Sequence, residues 1–378
     1  MKMKIYQEIC VFFVSLSAPV LLYVMNNVPT FHEPFVILGT GLVVSGAVSL
    51  LAFLSAQRKQ PKDILFYVCV QFAFTSVLKL TNALEQDGFT SGFVGFYQRK
   101  GEPCMVTAYA IMMCYWDGVV HFLLYLLLLH HRAKAKLYRG MGLFWAGSSF
   151  ASMSVFIPGS VIGKYGSNIY PAFWLNVLLL LGSVWGAASL LSSLRELPVV
   201  PADEVESVQR KTLLTRPTDL LLTTFLLGAM VFTVFRGLVV LDCPLDSCFN
   251  YIYQYEPYLK DPVGYPRVMM LVYLFYGLPM MAAFVYGLVT PGCTWMLDWT
   301  VLFAGFMAQA QWCHISASLH PRTPYTYRIP EEKWQAVLLA NLGYVTAPLL
   351  LGLRCIWSPA FFMKTVPPGQ VTKEKKSD

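Results

Sequence analysis

The chain has 378 residues, of which 56% are hydrophobic and only 13% are charged, and its formal net charge is +7. A soluble protein of this size carries about 25% charged residues, so the composition excludes an ordinary soluble domain and indicates a membrane protein. The nine cysteines form no CxxC pair, and no phosphate-binding glycine loop occurs. The sequence therefore gives no reason to expect a metal, a cofactor or a nucleic-acid partner.

Apolar segments long enough to span a bilayer follow one another along the chain. A spanning helix needs about 20 mostly apolar residues. Ten segments qualify or nearly qualify, at residues 9–26, 35–54, 64–84, 106–130, 140–162, 171–194, 219–241, 268–290, 295–318 and 335–357. The first is the weakest and, with Lys2 and Lys4 ahead of it, could also be a signal peptide, although no clean cleavage site follows. We expect an all-α polytopic membrane protein with about ten transmembrane helices.

The basic residues predict the orientation of these helices. With the N-terminus in the cytosol, 18 of the 28 Lys and Arg residues fall on the cytosolic side, 8 on the lumenal side and 2 within helices. We therefore expect both termini in the cytosol. The chain ends KEKKSD, which places Lys376 and Lys375 third and fourth from the carboxyl end. A cytosolic dilysine there is typical of a retrieval signal for the endoplasmic reticulum that coat machinery reads, and the alternative is a merely basic, solvated tail.

A polar connection at residues 195–217 separates two similar parts of the chain. The segments DILFYVCVQFAFTSVLKLTNALE and DLLLTTFLLGAMVFTVFRGLVVLD align so that Lys79 matches Arg236 and Glu85 matches Asp242. The aromatic segments FYQRKGEP and YIYQYEP follow them. These repeats indicate a tandem, parallel duplication. The predicted domains are two leading helices in 1–60, a four-helix domain in 61–194, a linker in 195–217, a second four-helix domain in 218–357 and a cytosolic tail in 358–378.

The four-helix unit resembles the EXPERA domain of the emopamil-binding protein, a sterol double-bond isomerase, and of the sigma-two receptor. The run YLKDPVGYPRVMMLVYLFYGLPMMAAFVYGLVTPGCTW carries this resemblance. Two tandem copies behind two extra helices, together with RGLVVLDCPLDSCFNYIYQYEPYLKDP, YWDGVVHFLLY and HISASLHPRTPYTYRIPEE, resemble the transmembrane six superfamily over nearly the whole chain. The YIYQYEPY segment and the dilysine end favour its member two branch.

The resemblance implies a cellular role and partners. It implies a protein of the endoplasmic reticulum and the endoplasmic reticulum–Golgi intermediate compartment that promotes triglyceride loading and secretion of lipoproteins and limits lipid-droplet content. Membrane lipids or sterol, and lipoprotein-assembly proteins, are the partners that it implies.

An acid and an imidazole lie together in the fourth apolar segment. In YWDGVVHFLLY, Asp117 and His121 are one helical turn apart, with Trp116 beside them. A charge at the centre of a bilayer costs at least ~2.5 kcal/mol, so we expect the pair to have a structural or functional role. It can orient a ligand, lock helices together, or act as acid and base in an isomerase-like reaction. We expect binding first, with catalysis as the alternative, because the third apolar segment supplies Lys79 and no second deep acid.

Other polar residues in the apolar segments are further candidates for ligand binding. Lys79 and Arg236 lie near the predicted lumenal boundary, where they could extend to the interface or pair with Glu85 and Asp242. Gln309, Gln311 and His314 form a stripe on the ninth segment that faces either a ligand cavity or a polar seam between helices. In the second half, Gly277 roughly occupies the place of Asp117, and Met281 that of His121.

Two cysteines lie close together in a predicted lumenal loop. The spacing in DCPLDSC predicts a disulfide between Cys243 and Cys248, with two unpaired thiols as the alternative.

Three functions remain after these observations. The first is a lipid- or sterol-binding regulator of lipid metabolism, and the second is a sterol isomerase-like enzyme that uses Asp117 and His121. The third is a transporter with inverted repeats, which the parallel orientation of the two repeats disfavours.

Overall fold

The computed structural model describes residues 7–55, 64–134, 137–193, 195 and 197–364. These residues form helices and connecting turns, and no strand occurs among them. Nine helical segments of the described residues are long and apolar enough to cross a membrane. The all-α, multi-pass architecture predicted from the sequence is confirmed. The retrieval signal predicted at Lys375 and Lys376 lies outside the described residues.

The leading part of the chain contains three helices rather than two. They are α1 (Gln7–Ser15), α2 (Ala18–Asn27) and α3 (Pro34–Ser55). The span predicted at 9–26 is confirmed at Glu8–Asn27, and a turn at Leu16 and Ser17 divides it into α1 and α2. Pro19 lies in the first turn of α2, where its missing N–H is tolerated, whereas it would remove a hydrogen bond inside a continuous helix. Most of α3 remains exposed, as expected of a helix that faces lipid.

The first half of the chain packs six helices. They are α4 (Ile64–Gln86), α5 (Gly95–Lys100), α6 (Ala108–Trp116), α7 (Phe122–Ala133), α8 (Arg139–Ile162) and α9 (Leu175–Ser192). A π-helical turn at Asp117–His121 joins α6 to α7, so that the two form the single span predicted at 106–130.

The linker and the second half contain seven helices. They are α10 (Ala202–Gln209), α11 (Pro217–Val240), α12 (Asp246–Gln254), α13 (Tyr265–Val272), α14 (Leu278–Val289), α15 (Met296–Leu319) and α16 (Trp334–Trp357). A second π-helical turn, at Tyr273–Gly277, joins α13 to α14. The domain boundaries predicted from the sequence stay a prediction.

The tenth predicted span, 295–318, is a helix that differs from the other nine. It corresponds to α15, whose 24 residues give it the length to cross a membrane. However, α15 is not apolar enough to count among the nine candidate spans, because it carries Asp298, Gln309, Gln311 and His314. It tolerates them because 18 of its residues are buried, chiefly against α8 and α16, so little of α15 faces lipid.

Helices α8 and α15 form the centre of the molecule, and two glycines allow their close contact. A methyl group on Gly147 would collide with the carbonyl oxygen of Leu302, and one on Gly305 would collide with that of Phe144. Phe144 precedes Gly147 by three residues, and Leu302 precedes Gly305 by three residues. The two contacts are therefore related by a local twofold axis. Small residues let membrane helices approach until their backbones touch. Van der Waals contact at this distance stabilises helix pairs in lipid, where the hydrophobic effect does not drive their association.

The connections between helices lie on two faces. The face that holds the 195–217 connection is called the linker face, and sequence analysis predicts it to be cytosolic. The opposite face, called the far face, holds the connections at 87–107, 163–174, 241–264 and 320–333. Backbone contacts join the two halves there, as in the hydrogen bond that Lys164 N donates to Pro262 O over 2.9 Å.

Replacing Gly147 by alanine is expected to destabilise the protein by about 1–3 kcal/mol or more, because the added methyl group forces α8 and α15 apart. The measurement is thermal unfolding of the purified protein in detergent. The control is Gly228→Ala on α11, where an added methyl group meets nothing within 4 Å and alanine favours the helix. Equal melting temperatures for the two variants would contradict the packing described.

Candidate functional site

The first polar cluster joins α4 to the π-helical turn of the first half. Lys79 Nζ lies 2.5 Å from Asp117 Oδ2, and His121 Nδ1 lies 2.8 Å from Asp117 Oδ1. His121 Nε2 lies 2.6 Å from Ser148 Oγ on α8, and the Trp116 indole donates to the same hydroxyl over 2.7 Å. The structure therefore brings Lys79, Trp116, Asp117 and His121 together, in an arrangement in which the carboxylate contacts both basic groups.

The π-helical turn sets the position of Asp117. One extra residue in the turn shifts the side chains that follow it, and such turns occur often at functional sites. Gly118 lies in this turn, and a methyl group there would collide with Leu80 on α4. The glycine thus permits the close approach that brings Asp117 to Lys79.

The second polar cluster is fully buried and is built around Arg236. The Arg236 guanidinium forms an ion pair with Glu256, in which Arg236 Nε donates to Oε2 over 3.0 Å. It also donates to Asn341 Oδ1 over 2.9 Å and lies 3.1 Å from His314 Nε2. The ring of Phe232 lies 4.5 Å from the guanidinium carbon. Four side chains thus surround one positive charge.

Glu256 remains ionised in this cluster. Burial alone would raise the pKa of its carboxyl group, but the adjacent Arg236 guanidinium and the hydrogen bond with His314 lower that pKa well below its usual range. The carboxylate and the guanidinium therefore stay charged at neutral pH and stabilise each other.

The pairing of Lys79 with Glu85 and of Arg236 with Asp242, one of the two possibilities that the sequence left open, does not occur. Lys79 pairs with Asp117 rather than Glu85, whose Oε2 instead accepts from the N–H groups of Phe93 and Val94. Arg236 pairs with Glu256, whereas Asp242 binds two basic residues of the far face, Lys260 over 2.6 Å and Arg267 over 3.2 Å. Residues six apart on a helix point in different directions, so each cation finds its acid on another element.

Glu102 and Glu256 occupy corresponding places, and the sequence analysis missed both. Each precedes a proline in the aromatic segments FYQRKGEP and YIYQYEP. Glu102 Oε1 accepts from the Tyr97 hydroxyl over 2.6 Å and from Asn176 Nδ2 over 3.0 Å, and Glu256 Oε1 accepts from Asn341 Nδ2 over 2.9 Å. The repeated Glu-Pro dipeptide was the signal that could have identified them.

The environments of these two glutamates differ in charge. Arg236 neutralises Glu256, but no basic residue forms an ion pair with Glu102 among the described residues. Burial raises the pKa of the Glu102 carboxyl group, and its hydrogen bonds with Tyr97 and Asn176 only partly offset this. Since Lys79 binds Asp117 instead, Glu102 keeps part of its capacity to accept or donate a hydrogen bond.

A cavity of about 460 Å³ adjoins Glu102 in the first half. Its walls are apolar side chains of α2, α3, α4 and α9, among them Leu22, Val44, Phe72 and Leu179. Its polar lining includes a group on and near the far-face end of α4, namely Lys79, Asn82, Tyr97, Glu102 and Asn176. An apolar cavity of 300–1,000 Å³ with a few convergent polar groups is typical of a site for a small hydrophobic ligand.

Of the side chains predicted to bind ligand, Lys79 alone lines this cavity. Trp116, Asp117 and His121 lie behind Lys79 and do not contribute to the lining. In the second half, Arg236 and His314 fill the polar centre, Gln311 donates to the Tyr273 hydroxyl over 2.9 Å, and Gln309 donates to Cys313 Sγ over 3.1 Å. The stripe on α15 therefore forms a seam between helices.

The two π-helical turns correct the correspondence between the halves. They place Tyr273 where the first half has Asp117, and Gly277 where it has His121. The expectation that Gly277 and Met281 hold these places was off by one turn. The second half thus has a tyrosine in place of the acid.

Cys243 and Cys248 are both free thiols and lie close together on the far face. The disulfide predicted between them is absent from the structure, and their pairing stays a prediction. Among the described residues, no group of three or more His, Cys, Asp or Glu side chains is arranged to hold a metal ion.

Known proteins match the chain over almost its full length. The family model described as "Transmembrane 6 superfamily member 2-like, transmembrane domain" matches residues 16–201. Proteins named Transmembrane 6 superfamily member 2 match at 46% identity from Rattus norvegicus and at 45% from Homo sapiens, each over 96% of both chains. The chain belongs to the transmembrane 6 superfamily. The relative from Mus musculus is 46% identical over 94% of both chains, and no solved structure matches the chain significantly.

Replacing Glu256 by glutamine is expected to lower the free energy of unfolding by about 3–5 kcal/mol, because it leaves the buried Arg236 without its counterion. The matched control is Glu102→Gln in the first half, expected to cost about 1 kcal/mol because it weakens hydrogen bonds only. Chemical denaturation in detergent measures both. Equal losses would contradict the difference in charge between the two sites.

Proposed function

We propose that this membrane protein binds a sterol or another membrane lipid in the cavity of its first half, and regulates lipid metabolism through that binding. The cavity carries the proposal: it has the volume of a small-ligand site, a mainly apolar wall and a group of polar side chains at one end. The lipid body would occupy the part between α3, α4 and α9.

The polar end favours a lipid with one small hydrogen-bonding group. Glu102 and Asn176 can accept or donate hydrogen bonds, and the Lys79 ammonium can donate. Desolvating a hydroxyl without a partner costs about 1–3 kcal/mol, so this cluster would select a lipid that carries such a group over a plain hydrocarbon. Asp117 and His121 then act indirectly, by holding Lys79 in place.

An isomerase-like reaction is the second candidate function. Its supporting observation is that Lys79 connects the cavity to Asp117, so an acid and an imidazole lie one side chain away from the bound ligand. Both Asp117 oxygens, however, are already in contact with basic groups, and neither Asp117 nor His121 lines the cavity.

We therefore expect no isomerised sterol when the protein is expressed in cells that lack their sterol isomerase. Product formed by the wild type but not by Asp117→Asn would establish the enzyme.

Membership of the superfamily supports a proposed cellular role. We place the protein in the membranes of the endoplasmic reticulum and of the endoplasmic reticulum–Golgi intermediate compartment, with both termini cytosolic. There it would promote triglyceride loading and secretion of lipoproteins and limit lipid-droplet content. Lipoprotein-assembly proteins, and coat machinery that reads Lys375 and Lys376, are the proposed partners.

Replacing Thr75 by tryptophan should obstruct the cavity and weaken lipid binding without unfolding the protein. Thr75 lines the cavity from α4, and its hydroxyl bonds only to the backbone of its own helix. The measurement is saturable binding of a radiolabelled sterol to purified protein, together with triglyceride secretion from cells in which the variant replaces the native protein.

The control is Thr224→Trp on the exposed face of α11, where the threonine makes the same kind of hydrogen bond to its own helix. We expect a loss of binding of at least about tenfold for Thr75→Trp alone, since the bulky ring overlaps part of the space that the ligand would occupy. Unchanged binding in a well-folded Thr75→Trp protein would refute the proposed site.

A further inference from the structure

The cavity of the first half extends along most of the length of α4. Its lining on this helix begins at Tyr67, near the linker face, and ends at Asn82, near the far face. A helix rises about 1.5 Å per residue, so this part of α4 is about 22 Å long. The hydrocarbon core of a bilayer is about 30 Å thick. The cavity therefore covers most of the distance between the two surfaces of the membrane.

Polar side chains line the cavity along this whole distance. Ser45 on α3 lies opposite Gln71 on α4, since Gln71 Nε2 donates to Ser45 Oγ over 2.9 Å. The two helices run in opposite directions, because α3 begins beside α5 on the far face. Ser49 therefore lies one turn closer to the linker face, and Thr40 lies more than one turn closer to the far face. In order from the linker face, the polar side chains on α3 and α4 are Ser49, Ser45 with Gln71, Thr40, Thr75, Lys79 and Asn82.

Three oxygens of the lining are open to a visiting polar group. Thr40 Oγ1 and Ser49 Oγ make no hydrogen bond to any described residue, and neither oxygen is buried. Glu102 is only 4% exposed, and it accepts hydrogen bonds from described residues through Oε1 only, which leaves Oε2 open. Hydrocarbon cannot pair with such oxygens, and they lie at separate levels of the membrane. Their spacing indicates a passage for polar groups as well as a site at one end.

The cavity opens sideways to lipid between α3 and α9. The hydrogen bond from Gln71 joins α3 to α4, and a methyl group on Gly182 of α9 would lie 2.9 Å from the Phe72 ring of α4, so these two sides are closed. In contrast, α3 packs on the turn before α9 at the far-face end but hardly contacts α9 itself. Leu178 on α9 lines the cavity and is 56% exposed, so it stands at the opening.

We propose that this protein moves phospholipids from one leaflet of the membrane to the other through this cavity. The headgroup travels along the polar side chains of α3 and α4, while the acyl chains stay in the bilayer through the opening between α3 and α9. The cavity volume of about 460 Å³ is that of about 15 water molecules, which gives room for a partly hydrated headgroup. The inference rests on the proposed function only in requiring that the cavity admits lipid.

The charges of the lining favour a headgroup without net charge. Among the described lining residues, Lys79 and Glu102 are the charged ones, and both lie at the far-face end. Lys79 is already paired with Asp117, so the end has no excess of positive charge. A zwitterionic phosphocholine group carries both signs and suits an ammonium beside a carboxyl group. A headgroup with a net negative charge would be repelled by Glu102 and Asp117.

The test measures lipid movement in vesicles that contain the full purified chain. The probe is phosphatidylcholine with a fluorescent nitrobenzoxadiazole label, and dithionite, which does not cross the membrane, bleaches the label in the outer leaflet. We expect dithionite to bleach all the label in vesicles with the protein, and the outer-leaflet label alone in vesicles without it. Labelled phosphatidylglycerol should move several-fold more slowly, and faster movement of that anionic lipid would overturn the headgroup assignment.

The test variant combines Thr40→Val with Ser49→Val, which removes both open hydroxyls. The matched control is Ser49→Thr, which has the same shape as the test variant at both positions and keeps both hydroxyls. A second control is Ser189→Val on the exposed face of α9, outside the cavity. We expect the test variant to move lipid about tenfold more slowly than the wild type and both controls to move it at the wild-type rate. Melting temperatures confirm that each variant folds.

The outcomes distinguish this inference from the proposed sterol site. Bleaching of the outer-leaflet label alone, by a folded protein that binds sterol saturably, would overturn the inference and leave the proposed function standing. Movement that is equally fast in the wild type, the double valine variant and Thr75→Trp would also overturn it, because the lipid would not use this cavity. Movement that slows in both variants, with no saturable sterol binding, would support the inference and refute the sterol site.

Discussion

The cost of burying charge in a membrane protein is the constraint on which this structure depends. A lone charged side chain is expensive in the apolar interior, so each buried cation must have a partner from another element. Arg236 meets Glu256 and Asn341, and Lys79 meets Asp117. These contacts join α11 to the far-face segments and α16, and α4 to the π-helical turn of the first half. Apolar side chains contact lipid as readily as they contact another helix, so apolar contacts alone define helix positions poorly. Charge pairing thus fixes the relative positions of these helices.

The two halves meet this constraint differently, and the difference leaves room for a ligand in the first. In the second half, the guanidinium of Arg236 contacts the glutamate, the asparagine and the histidine around it. In the first half, the ammonium group of Lys79 binds Asp117 and forms no ion pair with Glu102. Only Tyr97 and Asn176 donate hydrogen bonds to the Glu102 carboxylate. The leading helices α2 and α3 then wall a cavity beside this glutamate, and they have no counterpart in the second half. We therefore propose that the first half provides the ligand site and that the second half provides rigid support.

The sequence predicted much of the architecture and the residue types of the polar clusters, but not their connections. Hydropathy located the helices within a few residues, as for the span predicted at 106–130 and found at Ala108–Ala133. It did not show the turn at Leu16 and Ser17, which divides the span found at Glu8–Asn27 into two helices. The ion-pair partners were missed because Arg236 and Glu256 are 20 residues apart, on elements whose packing hydropathy does not report. The π-helical turns were missed because a single extra residue leaves the apolar pattern almost unchanged.

The central claim is that the lipid site lies in the first half and that the second half is filled. The most direct measurement is photo-crosslinking of the purified protein with a photoactivatable sterol, followed by mass-spectrometric mapping of the modified peptides. The account predicts competable labelling on α3, α4 and α9 and none on the core of α11 and α16. Competable labelling around Arg236 and Asn341, with the α4 peptides unmodified, would contradict it.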